Sequence, residues 1–287
     1  MTLIGNILFD STLWFCASGN SFFFGVVLLI ITAVIHTKLH RKRFLAGIWF
    51  LYIISIAAIL LASTPLPPLF YCFWVIAFIT YQIIRKKYPT PALAVLIIVS
   101  TAAILMELPW HFPRKIVIDS FEQIYIIGDS VSAGMGNDEE RTWTVLLSEE
   151  LQTPVINLAV AGATASSALK KQVPQVIGQN NLVFLEIGGN DLLNFNSPEE
   201  YKKDLTEIIL RLNASSNKIV WFKLPLLPQY YRYGRIQRTL AKQYNISLIP
   251  KSALTTVFCT KGATSDGIHL TPRGHEIMEQ QIRQLLE

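Results

Sequence analysis

Hydrophobic and polar residues follow two regimes along this chain. Up to about residue 110 the apolar residues form long, nearly unbroken runs, and beyond it they form short runs separated by amphipathic stretches. Four runs, at about 13–35, 44–62, 69–84 and 91–108, approach the roughly 20 residues that a helix needs to cross a bilayer. No Asp, Glu, Lys or Arg interrupts them before Glu107, at the end of the fourth. The pattern predicts a membrane domain of four transmembrane helices over residues 1–110. A signal peptide accounts for little of it, because no basic segment precedes the first run and three more runs follow. Core helices of one large soluble domain would need polar faces that these runs lack.

After a short polar linker, 111–123, the period changes. Candidate strands at 124–127, 155–158, 182–187, 219–222 and 247–249 alternate with helical stretches at 142–151, 166–177, 198–212 and 234–244. A last helix is expected over 272–286, with Thr271 as N-cap and Pro272 at the first helical position. Such alternation predicts an α/β domain over 124–287, with a parallel sheet covered by helices on both faces. Runs such as Leu-Val-Phe-Leu-Glu-Ile fit strands buried on both sides. In these sheets ligands bind just beyond the carboxyl ends of the strands.

Charge divides at the same place. Residues 1–115 hold nine Lys/Arg against two Asp/Glu, and 116–287 hold sixteen against eighteen, so the net +5 belongs to the apolar half. The second half has no basic stripe, and no nucleic-acid partner is expected. Lys38, Arg41, Lys42 and Arg43 follow the first run and Arg85, Lys86 and Lys87 the third, whereas 63–68 is uncharged. The positive-inside rule places both basic loops in the cytoplasm. Both termini and the α/β domain then lie on the periplasmic or extracellular side of the cell (inner) membrane, and Trp110 is an interfacial anchor. With no ionisable residue expected mid-span, the helices read as an anchor rather than a transport pathway. Cys16, Cys72 and Cys259 match no metal or redox spacing, and Cys259 reads as a small semi-apolar residue.

Four short motifs fall at strand ends or beside the last helix. Gly128-Asp129-Ser130 follows the first candidate strand and presents a serine at the top of the sheet. Gly162 follows the second, where its backbone N–H is open to a ligand or merely serves a turn. Gly188-Gly189-Asn190-Asp191 follows the third; Asn190 offers a neutral amide to a developing oxyanion, and Asp191 reads as a helix cap. Asp266-Gly267-Ile268-His269 precedes the last helix, where the carboxylate can fix the imidazole tautomer and leave Nε2 free to take a proton. His36, His40, His111 and His275 read as juxtamembrane or helix-surface residues.

In this order the motifs resemble the four blocks of the SGNH (GDSL-type) hydrolases, from about residue 124 to 287. The wording GDSVSAGMG and FLEIGGND is similar to the bacterial thioesterase/lysophospholipase/arylesterase subgroup. The resemblance implies a three-layer α/β/α sandwich with a flavodoxin-like sheet. It implies Ser130 as nucleophile, Asp266 and His269 as the rest of a triad, and an oxyanion hole from the Ser130 N–H, the Gly162 N–H and the Asn190 side chain, with Asp129 in support. No metal or organic cofactor is called for. The expected partners are the lipid bilayer and an acyl ester, of a lipid or of an acylated glycan. About fifteen residues join the last run to the first strand, a reach of roughly 50 Å. That tether suits lysophospholipid, aryl ester or thioester substrates, and equally an O-deacetylase or O-acyltransferase acting on a surface polysaccharide. A non-catalytic membrane-tethered binding module would predict damaged motifs, and none is damaged.

Overall fold

The computed structural model describes residues 3–39, 42–118, 121–136 and 140–286. His40 and Arg41 lie outside the described residues. The chain divides into two compact units. One holds residues 1–14, 113–225 and 232–287, and the other 15–112 together with 226–231.

The first unit carries a sheet of five parallel strands: β1 Ile124–Gly128, β2 Val155–Asn157, β3 Leu182–Glu186, β4 Lys218–Phe222 and β5 Ser247–Ile249. Their order is β2-β1-β3-β4-β5, and Ile124 of β1 pairs with Val155 on one side and Leu182 on the other. This is the doubly wound order whose direction reverses between β1 and β3, which opens a crevice at their carboxyl ends. Strands β1 and β3 are buried along their whole length, as their unbroken apolar sequence requires.

Helices cover both faces. Ile124, Ile126, Leu182, Phe184, Val220 and Phe222 share a core with α7 (Trp143–Leu151), α12 (Lys251–Cys259) and α13 (Pro272–Arg283). The intervening strand positions, Tyr125, Val183, Leu185 and Trp221, are as deeply buried; α8 (Ala165–Lys171), α10 (Pro198–Ala214) and α11 (Tyr231–Gln243) supply the opposite layer. Helix starts follow local chemistry. Ser197 and Glu200 form a capping box ahead of Pro198, and Thr271 caps α13 through the Gly274 N–H at 3.3 Å, as its Thr-Pro start predicts.

Several expected elements shift. The helix expected over 166–177 ends at Lys171, because Pro174 cannot continue it and a short 3-10 turn, Val173–Gln175, takes over. Residues 251–259, to which the sequence pattern assigned no element, form α12, which starts directly after Pro250.

The second unit holds α2 (Asn20–Lys38), α3 (Leu45–Leu61), α4 (Pro68–Ile84) and α5 (Pro89–Glu107). The first expected span began at Leu13, but the chain breaks there: α1 (Leu3–Ala17) ends, Gly19 takes φ 91°, and α2 starts at Asn20. The sequence Ser-Gly-Asn makes the break, with the Ser18 hydroxyl bonding back to the Phe15 carbonyl at 3.3 Å. Among the described residues, two helical segments, Asn20–Lys38 and Pro89–His111, are long and apolar enough to cross a membrane, not the four expected, since α3 and α4 have 17 residues each.

The polarity of this unit is inverted. Phe50, Ile53, Leu69, Ile83 and Ile98 are each more than 60 % exposed, while Ser21, Thr32, His36, Ser55 and Ser100 are buried. Small residues allow the buried contacts: a side chain at Gly25 would stand 2.6 Å from the Ser55 carbonyl oxygen. His36, expected at a surface, is 1 % exposed with Nδ1 3.2 Å from the Tyr52 hydroxyl.

Candidate active site

Each motif stands where a parallel sheet presents chemistry. Strand β1 ends at Gly128, and Ser130 opens a four-residue helix, α6 (Ser130–Ala133). The Asp129 carboxylate caps that helix, accepting from the Val131 N–H at 3.0 Å. Glycine is required at 128 because a Cβ there would meet the Ser132 hydroxyl at 2.9 Å and a Glu186 carboxyl oxygen at 3.0 Å. The buried Gln172 amide brackets the same residue, accepting from the Gly128 N–H and donating to its carbonyl, both at 3.0 Å. Ser130 is 8 % exposed. Among the described residues, neither its N–H nor its hydroxyl is engaged by another group.

Beneath this turn lies a carboxyl that sequence reading missed. Glu186, the last residue of β3, accepts from the Ser132 hydroxyl at 3.0 Å and from the Asp129 N–H at 3.3 Å. Burial first, and then the charge of Asp129, hold it well above the usual carboxylate range, which favours its neutral form. A side-chain hydrogen bond joins it to Asp129. Burial also pushes Asp129 up, to about 6, against hydrogen bonds from Val131, Glu186 and Asn190 and the charge of His269. Of the pair, Asp129 is the one that ionises. The signal in the sequence was a lone acid closing an otherwise apolar strand.

Asn190 sits in α9 (Gly189–Leu193). Its amide donates to the Asp129 carboxylate at 3.0 Å and to the Ala163 carbonyl at 3.2 Å, which joins the loops after β1, β2 and β3. Gly188 ahead of it takes φ 122°, where a Cβ would stand 2.6 Å from the Tyr201 hydroxyl. Gly162, at φ 75°, is exposed with open space around it. Asp191 does act as a cap, though not of its own helix: its buried carboxylate accepts from the Ala165 N–H at 2.9 Å, at the start of α8. Asn157 ties the loop after β2 to α6, donating to the Ser132 carbonyl at 2.8 Å.

The Asp266–His269 turn pairs its two ends. His269 Nδ1 lies 2.6 Å from an Asp266 carboxyl oxygen, and the other oxygen accepts from the His269 and Ile268 N–H groups at 2.9 and 3.0 Å. These bonds, led by the imidazole, hold Asp266 well below the usual carboxylate range. With Nδ1 so engaged, Nε2 is the nitrogen free to exchange a proton. The imidazole is near enough to Asp129 to favour its ionised form.

His275, expected on a helix surface, is fully buried in α13. Its Nδ1 accepts from the Trp143 N–H at 3.1 Å and its Nε2 lies 3.1 Å from Glu140. A ring that accepts at Nδ1 is neutral there, and burial lowers its pKa despite the acidic partner.

The profile of the GDSL-like Lipase/Acylhydrolase family matches residues 126–277. The chain is 26 % identical over 175 residues to the thioesterase 1/protease 1/lysophospholipase L1 of Escherichia coli K12, a match covering 56 % of this chain and 84 % of that protein. It is 26 % identical over 194 residues to an arylesterase of Vibrio mimicus, covering 63 % and 96 %. A crystal structure of TesA superposes with TM-score 0.52 at 25 % identity, over 57 % of this chain and 97 % of that one.

Proposed function

This chain belongs to the GDSL-like Lipase/Acylhydrolase family and is a serine ester hydrolase, and from that premise we propose a membrane-anchored esterase of acyl lipids with Ser130, Asp266 and His269 as its triad. His269 Nε2 removes the Ser130 proton while Asp266 holds Nδ1, and the hydroxyl attacks an ester or thioester carbonyl. The Ser130 and Gly162 N–H groups receive the oxyanion, joined by the Asn190 amide once it turns one of its two hydrogens away from Asp129 or Ala163. Collapse to an acyl-enzyme expels the alcohol or thiol, protonated by His269, and water activated by the same ring releases the acid. The observation that carries the triad is the 2.6 Å Asp266–His269 pair, whose imidazole is near enough to Asp129, the neighbour of Ser130, to act on its charge.

Lipid esters are favoured by the rim. Each motif loop carries an exposed apolar side chain: Met135, Val160, Phe195 and Ile268, with Phe195 82 % exposed. Such residues suit a long acyl chain better than a hydrated acetyl-glycan.

We assign residues 15–110 as the membrane domain, 111–123 as the linker and 124–287 as the hydrolase, whose compact unit also takes in residues 1–14. In this reading α3 and α4, about 25 Å long by helical rise, span with α2 and α5. The apolar exterior supports it, since large apolar residues face out around a core that is itself apolar and encloses a few small polar side chains. The basic loops place the hydrolase and both termini outside the inner membrane.

The test is hydrolysis of p-nitrophenyl esters from acetyl to decanoyl by the full chain in detergent, beside Ser130→Ala. Turnover is expected to fall by roughly a thousandfold or more in the variant and to favour the longer chains in the wild type. Equal rates for the two proteins would sink the triad, and an acetyl preference would favour deacetylation of a glycan instead.

A further inference from the structure

A group of polar side chains lies together at one end of the apolar unit. It comprises His36 on α2, Tyr52 on α3, and Tyr81 and Gln82 on α4 with Arg85 just after it. The His36 ring lies 5.7 Å from that of Tyr52 and 6.5 Å from that of Tyr81. Gln82 adjoins the Tyr52 hydroxyl, and Arg85 is within electrostatic reach of both His36 and Tyr52. Part of the group is internally satisfied: Tyr81 donates to the Ala33 carbonyl at 2.7 Å. The rest is not. Among the described residues, His36 Nε2, both polar atoms of the Gln82 amide and Arg85 Nε are buried without a hydrogen-bond partner. Four orphaned atoms in one place carry a desolvation penalty that an outside group must relieve.

Charge says what kind of group. No Asp or Glu occurs between Asp10 and Glu107, while Lys38, Arg41, Lys42, Arg43, Arg85, Lys86 and Lys87 flank these helix ends. Glu107 closes α5 at its far end and is held by His111 at 3.0 Å. The remaining segment of the unit, 226–231, has no acid. Water could satisfy the donors, but it brings no counter-charge. In the tautomer in which Tyr52 donates to Nδ1, His36 carries its proton on Nε2, and three donors (His36 Nε2, Gln82 Nε2, Arg85 Nε) then stand beside one acceptor, Gln82 Oε1. That complement matches a phosphate bearing a hydroxylated substituent.

We propose that this cluster binds the anionic phosphodiester headgroup of a membrane phospholipid, the phosphate taking the three donors and a headgroup hydroxyl meeting Gln82 Oε1. The site rests on the membrane-spanning reading, which is tested first: the chain should stay with membranes in alkaline carbonate and be released by detergent. Thermal unfolding of the full chain in neutral detergent is then followed by tryptophan fluorescence with phosphatidylglycerol, phosphatidylcholine or inorganic phosphate at equal concentration. Phosphatidylglycerol is expected to raise the midpoint by at least about 2 °C, and the other two to leave it unchanged. Arg85→Gln should lose most of the shift. Gln82→Leu should lose it too while raising the lipid-free midpoint, because it removes two orphaned atoms. The double variant Lys86→Gln/Lys87→Gln should keep the shift. Turnover of a water-soluble ester, unchanged within twofold, shows that the variants are folded. Equal shifts from both lipids, a full shift in Arg85→Gln, or equal loss in the lysine variant would overturn the site. An equal shift from inorganic phosphate would overturn its assignment to a lipid.

Discussion

Glu186 shows how much the Asp129-Ser130 turn depends on a fully buried side chain. Held toward its neutral form it bonds Asp129, and Asp129 in turn holds the amide of Asn190. Glutamine can mimic the neutral acid, whereas alanine leaves the Ser132 hydroxyl and the Asp129 N–H buried without an acceptor. We therefore expect Glu186→Gln to keep turnover within about tenfold, and Glu186→Ala to lose about 1–3 kcal/mol of stability and distinctly more turnover. Urea unfolding and ester kinetics on both variants check this, and equal damage from both would contradict a neutral Glu186. His275 makes a prediction about pH. Its folded pKa lies below the unfolded value of 6.5, so the unfolded state takes up protons first as pH falls. The stability it contributes is complete above 6.5 and declines on acidification below it. In His275→Gln the decline in melting temperature from pH 7 to 5 should be shallower than in the wild type.

At the scale of elements, close approach of α2 and α3 is set by one residue. Gly25→Leu places a side chain against the Ser55 carbonyl and Ile59, and such overpacking typically costs about 1–3 kcal/mol. Thermal unfolding in detergent should show the loss with hydrolysis of soluble esters retained at low temperature; an unchanged midpoint would mean that the helices are not held this closely. Much of the α/β half was legible in the sequence because its signals are local. The apolar runs of β1 and β3, the Thr271-Pro272 start of α13 and the four motif loops lie where the pattern places them. What was not legible depends on partners far along the chain. Nothing near Gln172 reveals that its amide brackets Gly128, 44 residues away, and nothing near His275 reveals that Trp143 and Glu140 bury it. In the apolar half, hydrophobicity alone read through Ser18-Gly19-Asn20, where backbone conformation rather than polarity ends the helix.

The whole molecule is not two beads in sequence order. Residues 1–14 belong to the hydrolase unit, where the Trp14 indole donates to the Thr256 hydroxyl on α12 at 3.2 Å. Asp10, Ser11 and Trp14 line a cavity with Cys259 and Lys261. Burial and the charge of Asp10 both hold the Cys259 thiol above its ordinary pKa. Deleting residues 1–14 removes both, so in a Cys16→Ser/Cys72→Ser background the remaining thiol should react with a disulfide reagent at least several-fold faster. An unchanged rate would mean that α1 does not cover α12.

The pairing of Trp14 with Thr256 also sets an order in time. The two residues are 242 positions apart, and a ribosome adding about 5–20 residues per second leaves roughly 12–48 s between them. The segment bearing Trp14 is thus made well before the partner it joins. Throughout synthesis of α2–α5 and of the sheet it must wait unpaired, and only completion of α12 gives it a place to dock.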